Sequence, residues 1–227
     1  MARRTVILFA AAVSLAFAAK PRLVVLTDIG GDPDDEQSMV RLMVHSNEFD
    51  VEGLIASASG TPGELKKNAT RPDLIRRIVA KVHPNLLQHD RGFPLPSRLA
   101  EAIRSGKKYD ARAMCNGEGR HTYGSRHIIA VVDRNDSRPV NIAVWGGPTD
   151  LAQALWRVRS TRSAEELRRF TAKLRVFAIG HQDDSGPWIM REFPDLFYVL
   201  ASVDPADVLG HTYKGKDRRK YRQAPGN

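Results

Sequence analysis

Four aspartates crowd one short turn, Asp28-Ile29-Gly30-Gly31-Asp32-Pro33-Asp34-Asp35. An apolar run of strand type, Leu23-Val24-Val25-Leu26, leads into it. A segment with helical spacing of apolar residues (Met39, Val40, Leu42, Met43) leads out. The pattern therefore places Asp28, Asp32, Asp34 and Asp35 at the carboxyl end of a strand and the start of a helix. Ligands of open α/β sheets bind at that edge. Carboxylates this close repel one another unless a cation or raised pKa values relieve them. Hard oxygen donors suit Ca²⁺ or Mg²⁺, whereas zinc would call for His or Cys. One aspartate would be explained as a helix cap that meets the dipole. Four, with Asp34 and Asp35 adjacent, favour a metal site.

The remaining chain must position that turn. Residues 22–28, 51–57, 140–145 and 174–179 read as strands, with a further one expected at 196–200. Helices are expected over 35–46, from after Gly63 to about Val82 with Pro84 as the stop, and over 94–106, 149–158 and 164–173. Ile128 to Val132 is a short apolar run. Strands alternating with helices predict an α/β fold, a mostly parallel sheet flanked by helices. Two more strand ends are polar: Gly146-Gly147-Pro148-Thr149-Asp150, and Gly180-His181-Gln182-Asp183-Asp184-Ser185-Gly186-Pro187-Trp188. A parallel sheet would bring all three turns to one edge.

Composition bounds the function classes. The 227 residues suffice for one substantial domain, and 42% hydrophobic with 27% charged residues is ordinary for a globular protein. Much of the net charge of +9 sits in residues 214–222, which hold six basic groups and one acid. This basic tail, 211–227, reads as a solvated terminus. No nucleic-acid motif accompanies it, so no nucleic-acid partner is expected. Cys115 is the single cysteine, so no intrachain disulfide forms. Residues 1–19 have the anatomy of a signal peptide: Arg3-Arg4, an apolar stretch from Thr5, then Ala16-Phe17-Ala18. The stretch is short for a membrane span of about 20 residues. A secreted or periplasmic protein without a stable membrane anchor is expected, with residues 20–210 as its domain.

Three motifs, TDIGGDPDDEQSMVRLM, VWGGPTDLAQALW and GHQDDSGPWIMREFPDLFY, resemble the nucleoside hydrolase superfamily. The likeness is greatest to its secreted nucleoside hydrolase-like domain, often labelled cellulose-binding, and covers about residues 21–205. It implies a Rossmann-like fold and a hydrolase of N-glycosyl or related glycosyl bonds. By matching the motif ends, it implies Asp28 and Asp35 as calcium ligands and Asp34 as the base, with the turn two residues longer than in classical members. It implies the Thr149 main-chain carbonyl as a further Ca²⁺ ligand, and Glu192 as a sugar contact. Asp32, Trp188 and His121 complete the candidate substrate-binding set. A small nucleoside or carbohydrate is the expected substrate, and a homo-oligomer stays open. The ribose asparagine of classical members has no counterpart in Ala58-Ser59-Gly60-Thr61, and their late His-Asp pair none around His211-Thr212. Either the chain is a shortened version of a longer protein, or the fourth ligand is missing. The alternative function is a non-catalytic carbohydrate-binding protein, with Trp145, Trp156 and Trp188 as stacking candidates. An aspartyl phosphatase ranks last, because position 30 is glycine where that chemistry usually wants a second aspartate.

Overall fold

A computed structural model of the chain describes residues 19–31, 33–57, 70–106 and 117–201. Asp32, Cys115, the segment Ala58 to Thr61, the leader up to Ala18 and the basic tail lie outside the described residues. The described residues form six strands and seven α-helices, in the order β1 (Arg22–Thr27), α1 (Asp34–Val44), β2 (Asp50–Ala56), α2 (Pro72–Leu86), α3 (Pro96–Ala102), β3 (Ile103–Ser105), α4 (Tyr123–Val132), β4 (Val140–Val144), α5 (Thr149–Thr161), α6 (Ala164–Ala172), β5 (Leu174–Ala178), α7 (Ser185–Glu192) and β6 (Tyr198–Leu200). The sheet order is β3-β2-β1-β4-β5-β6, and every pairing is parallel. This is the doubly wound order, whose switch point lies between β1 and β4. Among the described residues, no helix is long and apolar enough to cross a membrane.

The strand sequences explain the layering. Val24 and Leu26 of β1 point into a core shared with Ile142 and Val144 of β4, with α4, α5 and α7 above them. Leu23 and Val25 point the other way, into a core with Met39, Met43, Ile75 and Ile78 of α1 and α2. A strand buried on both faces reads as an unbroken apolar run, as β1 does. The second face is unevenly covered. Beyond α1 it leaves Phe177 and Ile179 of β5 and its following turn exposed, together with Phe197 and Val199 beside and within β6. Phe177 is paired with Ala143 on one side and Val199 on the other, so these residues share one face.

Two sequence expectations are corrected here. Helix α2 runs through Pro84 to Leu86 instead of stopping before it. Leu86 is buried on the same face as Ile75, Ile78 and Val79, and that packing carries the helix past a residue that donates no amide. The helix expected over 94–106 ends at Ala102, and Ile103–Ser105 becomes a strand paired with Leu54, Ile55 and Ala56. The run Ile128 to Val132 is the second half of α4, whose start Thr122 and Ser125 cap reciprocally.

One buried ion pair ties the amino ends of the strands together. Arg22 is fully buried; its Nη2 donates to Glu52 Oε2 at 2.8 Å, and it also donates to the Val131 carbonyl.

Candidate functional site

The acidic turn after β1 and the glycine turn after β4 meet at the switch point. Asp28 follows the last residue of β1, and its carbonyl accepts from the Gly31 amide at 3.1 Å, closing the turn. Gly30 takes φ +95°, and a Cβ there would lie 2.9 Å from Arg71 Cγ, so glycine answers both conformation and space. Gly146 meets Asp28 from the other side. A Cβ at Gly146 would stand 2.6 Å from Asp28 Cγ and 2.8 Å from its Oδ1. Backbone and carboxylate are thus packed with no room for a side chain.

Asp28 and Asp35 are both buried, and they are hydrogen-bonded to each other. The Thr27 hydroxyl donates to Asp35 Oδ2, and the Ile29 amide to Thr27 Oγ1 at 3.2 Å. Burial pushes the Asp35 carboxyl above its ordinary range, against the hydrogen bonds from Thr27 and Asp28. The neighbouring Asp34 charge pushes it the same way. Asp34 itself is exposed at the mouth of the turn, with Oδ1 accepting from the Asp35 amide at 3.0 Å. The structure therefore brings Asp28 and Asp35 together, and leaves Asp34 exposed beside them.

Thr149 opens α5 on the turn that carries Gly146. It is buried, and its hydroxyl has no hydrogen-bond partner. The next residue, Asp150, is fully buried and accepts from the Ser57 and Thr122 hydroxyls on its two oxygens. Gly124 leaves room for this carboxylate, since a Cβ there would lie 2.9 Å from Asp150 Oδ1. Asp150 thus fastens the ends of β2 and β4 and the start of α4 to one another.

A second buried acid, Asp183, lies past β5. Its Oδ1 accepts from the Ser185 amide at 2.8 Å, while Oδ2 has no hydrogen-bond partner. Burial raises its pKa to about 6, with the Asp184 and Asp150 charges adding to the rise. Tyr198 lies close by: burial and then the Asp183 charge push its phenol upward, and its hydroxyl also lacks a partner. In the sequence, Asp183 is one of two adjacent aspartates in a polar strand end and carries no assigned role. Val176 and Ala178 of β5 alternate inward, but no local pattern separates Asp183 from its neighbour Asp184.

Three expected substrate contacts lie elsewhere. Trp188 is buried in the core, edge-on to Phe193 at 5.6 Å and beneath the Arg159 guanidinium. It is the inward residue of an α7 that must cover β4 and β5. Glu192 ends α7, at the far end of the helix from the polar turn. It pairs with Arg159 at 3.0 Å and with Arg191, and these partners hold its carboxyl below the usual range. His121 lies before α4, with Nδ1 3.2 Å from Gln153 Nε2 and its Nε2 without a partner. Gln153 also clamps the Gly117 backbone in both directions, so His121 belongs to a loop anchored on α5. Trp156 stands 6.3 Å from it and packs against the core.

The donor set can be tested against calcium. Among the described residues, no three His, Cys, Asp or Glu side chains converge as a metal-binding group. What the turn offers is two adjacent buried carboxylates, one of them with a raised pKa, and the partnerless Thr149 oxygen on the facing loop. Ca²⁺ accepts carboxylates, hydroxyls, carbonyls and water in irregular geometry. The residues fit that ion in chemical type.

The fold is a doubly wound parallel sheet with an acidic turn at its switch point. The chain belongs to the family described as cellulose-binding Sde182, nucleoside hydrolase-like domain, whose family model matches residues 22–227. A solved structure resembles it with a TM-score of 0.73 and 40% identity over 80% of this chain. That protein is described as a nucleoside hydrolase-related hypothetical protein from Saccharophagus degradans that is associated with carbohydrate metabolism. The chain spans 44% of that relative's length. No curated protein matches the chain.

Proposed function

We propose that this protein is an exported, calcium-dependent hydrolase of N-glycosyl or related glycosyl bonds, working at the crevice between β1 and β4. The observation that carries the reading is the buried Asp28–Asp35 pair, pressed against Gly146 at the sheet edge where ligands of this topology bind. The family's cellulose-binding label and the relative's association with carbohydrate metabolism support a carbohydrate as the ligand.

Asp28 and Asp35 would hold the ion, with the Thr149 carbonyl. Bound there, Ca²⁺ supplies positive charge that orients a water and the sugar hydroxyls. Asp34, exposed beside them, accepts a proton from the attacking water. The water oxygen bonds to the anomeric carbon while the glycosyl bond breaks, its electron pair leaving with the departing group. Positive charge that develops on the ring is opposed by the carboxylates of the turn.

The test is sugar release from nucleosides and oligosaccharides, together with Ca²⁺ calorimetry. Asp34→Asn should lower turnover by about 10²–10⁴-fold while leaving Ca²⁺ binding in place. Asp35→Ala should abolish Ca²⁺ binding. A parent protein that binds no Ca²⁺, or one whose turnover survives Asp34→Asn, refutes the reading. A second reading, a carbohydrate-binding protein without turnover, is favoured by the position of Glu192 away from the crevice. Saccharide binding with no release from any substrate would select it.

A further inference from the structure

On the α1 side of the sheet lies an open groove of about 470 Å³. Trp145 and Phe49 line it with aromatic rings, both half-buried, and Ser38, Arg41, His45 and Glu48 supply polar groups. Ser38, Arg41 and His45 recur at three- and four-residue spacing, which puts them on one face of α1 and the residue that ends it. Within the described residues, the side chains of Arg41, His45 and Glu48 make no hydrogen bond or ion pair, so their donors and acceptors are free for a ligand. The volume is within the range of small-molecule sites.

From these observations we infer that the groove is a saccharide subsite, which receives units of an oligosaccharide whose reacting bond lies at the acidic turn. The inference rests on the carbohydrate reading above and names its substrate class as a glycan chain rather than a free nucleoside. Three features support it. Sugar rings combine apolar C–H faces with a fringe of hydroxyls, and they need aromatic surface beside mixed donors and acceptors. Trp145 and Phe49 supply the surface; Arg41, Ser38 and Glu48 supply the fringe. The rim pairs the cation of Arg41 with the anion of Glu48, which suits a neutral polyol better than a phosphate or a carboxylate.

Trp145 and Ser38 tie one end of the groove to the candidate site through the chain. Trp145 directly precedes Gly146, whose backbone touches Asp28, and Ser38 lies one turn of α1 beyond Asp35. On the same side of the sheet as α1, the face of β5 and β6 is uncovered. There Phe177 is 46% and Phe197 47% exposed, their rings 5.9 Å apart, with the Arg175 guanidinium 5.2 Å over Phe197. Aromatic surface at Trp145, and again at Phe177 and Phe197 on the same side of the sheet, fits an extended chain better than a single sugar.

Calorimetry with cellohexaose and xylohexaose on the whole chain, in the presence of Ca²⁺, tests this. At least one should bind the parent and perturb its tryptophan fluorescence. Ser38→Tyr, which fills the groove from α1, should weaken binding at least tenfold, as should Trp145→Ala. Arg41→Ala changes an exposed residue without core contacts and should weaken it by a smaller factor with an unchanged melting curve. Asp34→Asn should bind as the parent does. Loss of hydrolysis in that variant bears on the catalytic reading and leaves the subsite untouched. Binding unaffected by Ser38→Tyr and Arg41→Ala overturns the inference, as does a parent that binds neither oligosaccharide.

Discussion

Replacing Asp183 by Asn probes the buried acid at the end of β5 through the pH dependence of stability. The carboxyl ionises near 3.8 in an unfolded chain and at about 6 in the fold, because burial disfavours its charged form. The folded state therefore holds a proton between those values that the unfolded state has released. Stability must fall as pH rises through that window and level off above it. At about 1.4 kcal/mol per pH unit, the full effect is about 3 kcal/mol. Asn keeps an oxygen for the Ser185 amide and cannot ionise. Urea unfolding of the two proteins between pH 3.5 and 7.5 measures the gap between them. The variant should gain on the parent by about 2.4 kcal/mol from pH 4 to pH 7, whatever constant offset its amide introduces. A gap that stays flat across this range would show that Asp183 is solvated or paired, and would refute the reasoning.

Gly146→Ala should cost about 1–3 kcal/mol by overpacking Asp28 and should weaken Ca²⁺ binding, whereas Gly180→Ala, with open space around its Cβ, should cost little; melting curves and calorimetry compare them. Glu52→Gln leaves the fully buried Arg22 without its main anionic partner and should destabilise by about 3–5 kcal/mol in urea unfolding. Trp188→Ala should lose about 3–5 kcal/mol of stability, yet the folded fraction should bind oligosaccharide as the parent does, since the ring is in the core. Saccharide binding that vanishes in a fully folded Trp188→Ala would contradict that placement.

Local pattern carried much of this protein in its sequence. The unbroken apolar run of β1 marks a strand buried on both faces, and the helical spacing of Met39 and Met43 marks α1; neither depends on distant residues. The acidic turn between them was legible for the same reason, since its four aspartates are neighbours in the chain. Strand–helix alternation then implied a parallel sheet, and with it a shared edge for the three polar turns. Tertiary structure decided what those patterns meet. Strand order put β4 beside β1, and only that adjacency presses Gly146 against Asp28, residues more than a hundred positions apart. Packing against the core turned Trp188 inward, and the parallel descent of α5 and α7 carried Glu192 to Arg159. Pairing with β2 made a strand of Ile103–Ser105, and burial of Leu86 extended α2 past Pro84. Burial likewise set Asp183 apart from its neighbour Asp184, which the same turn chemistry would have treated alike. Sequence period records which side of an element is apolar; which neighbour covers that side depends on contacts distant in the chain, and charge, burial and reach at the site follow from those contacts.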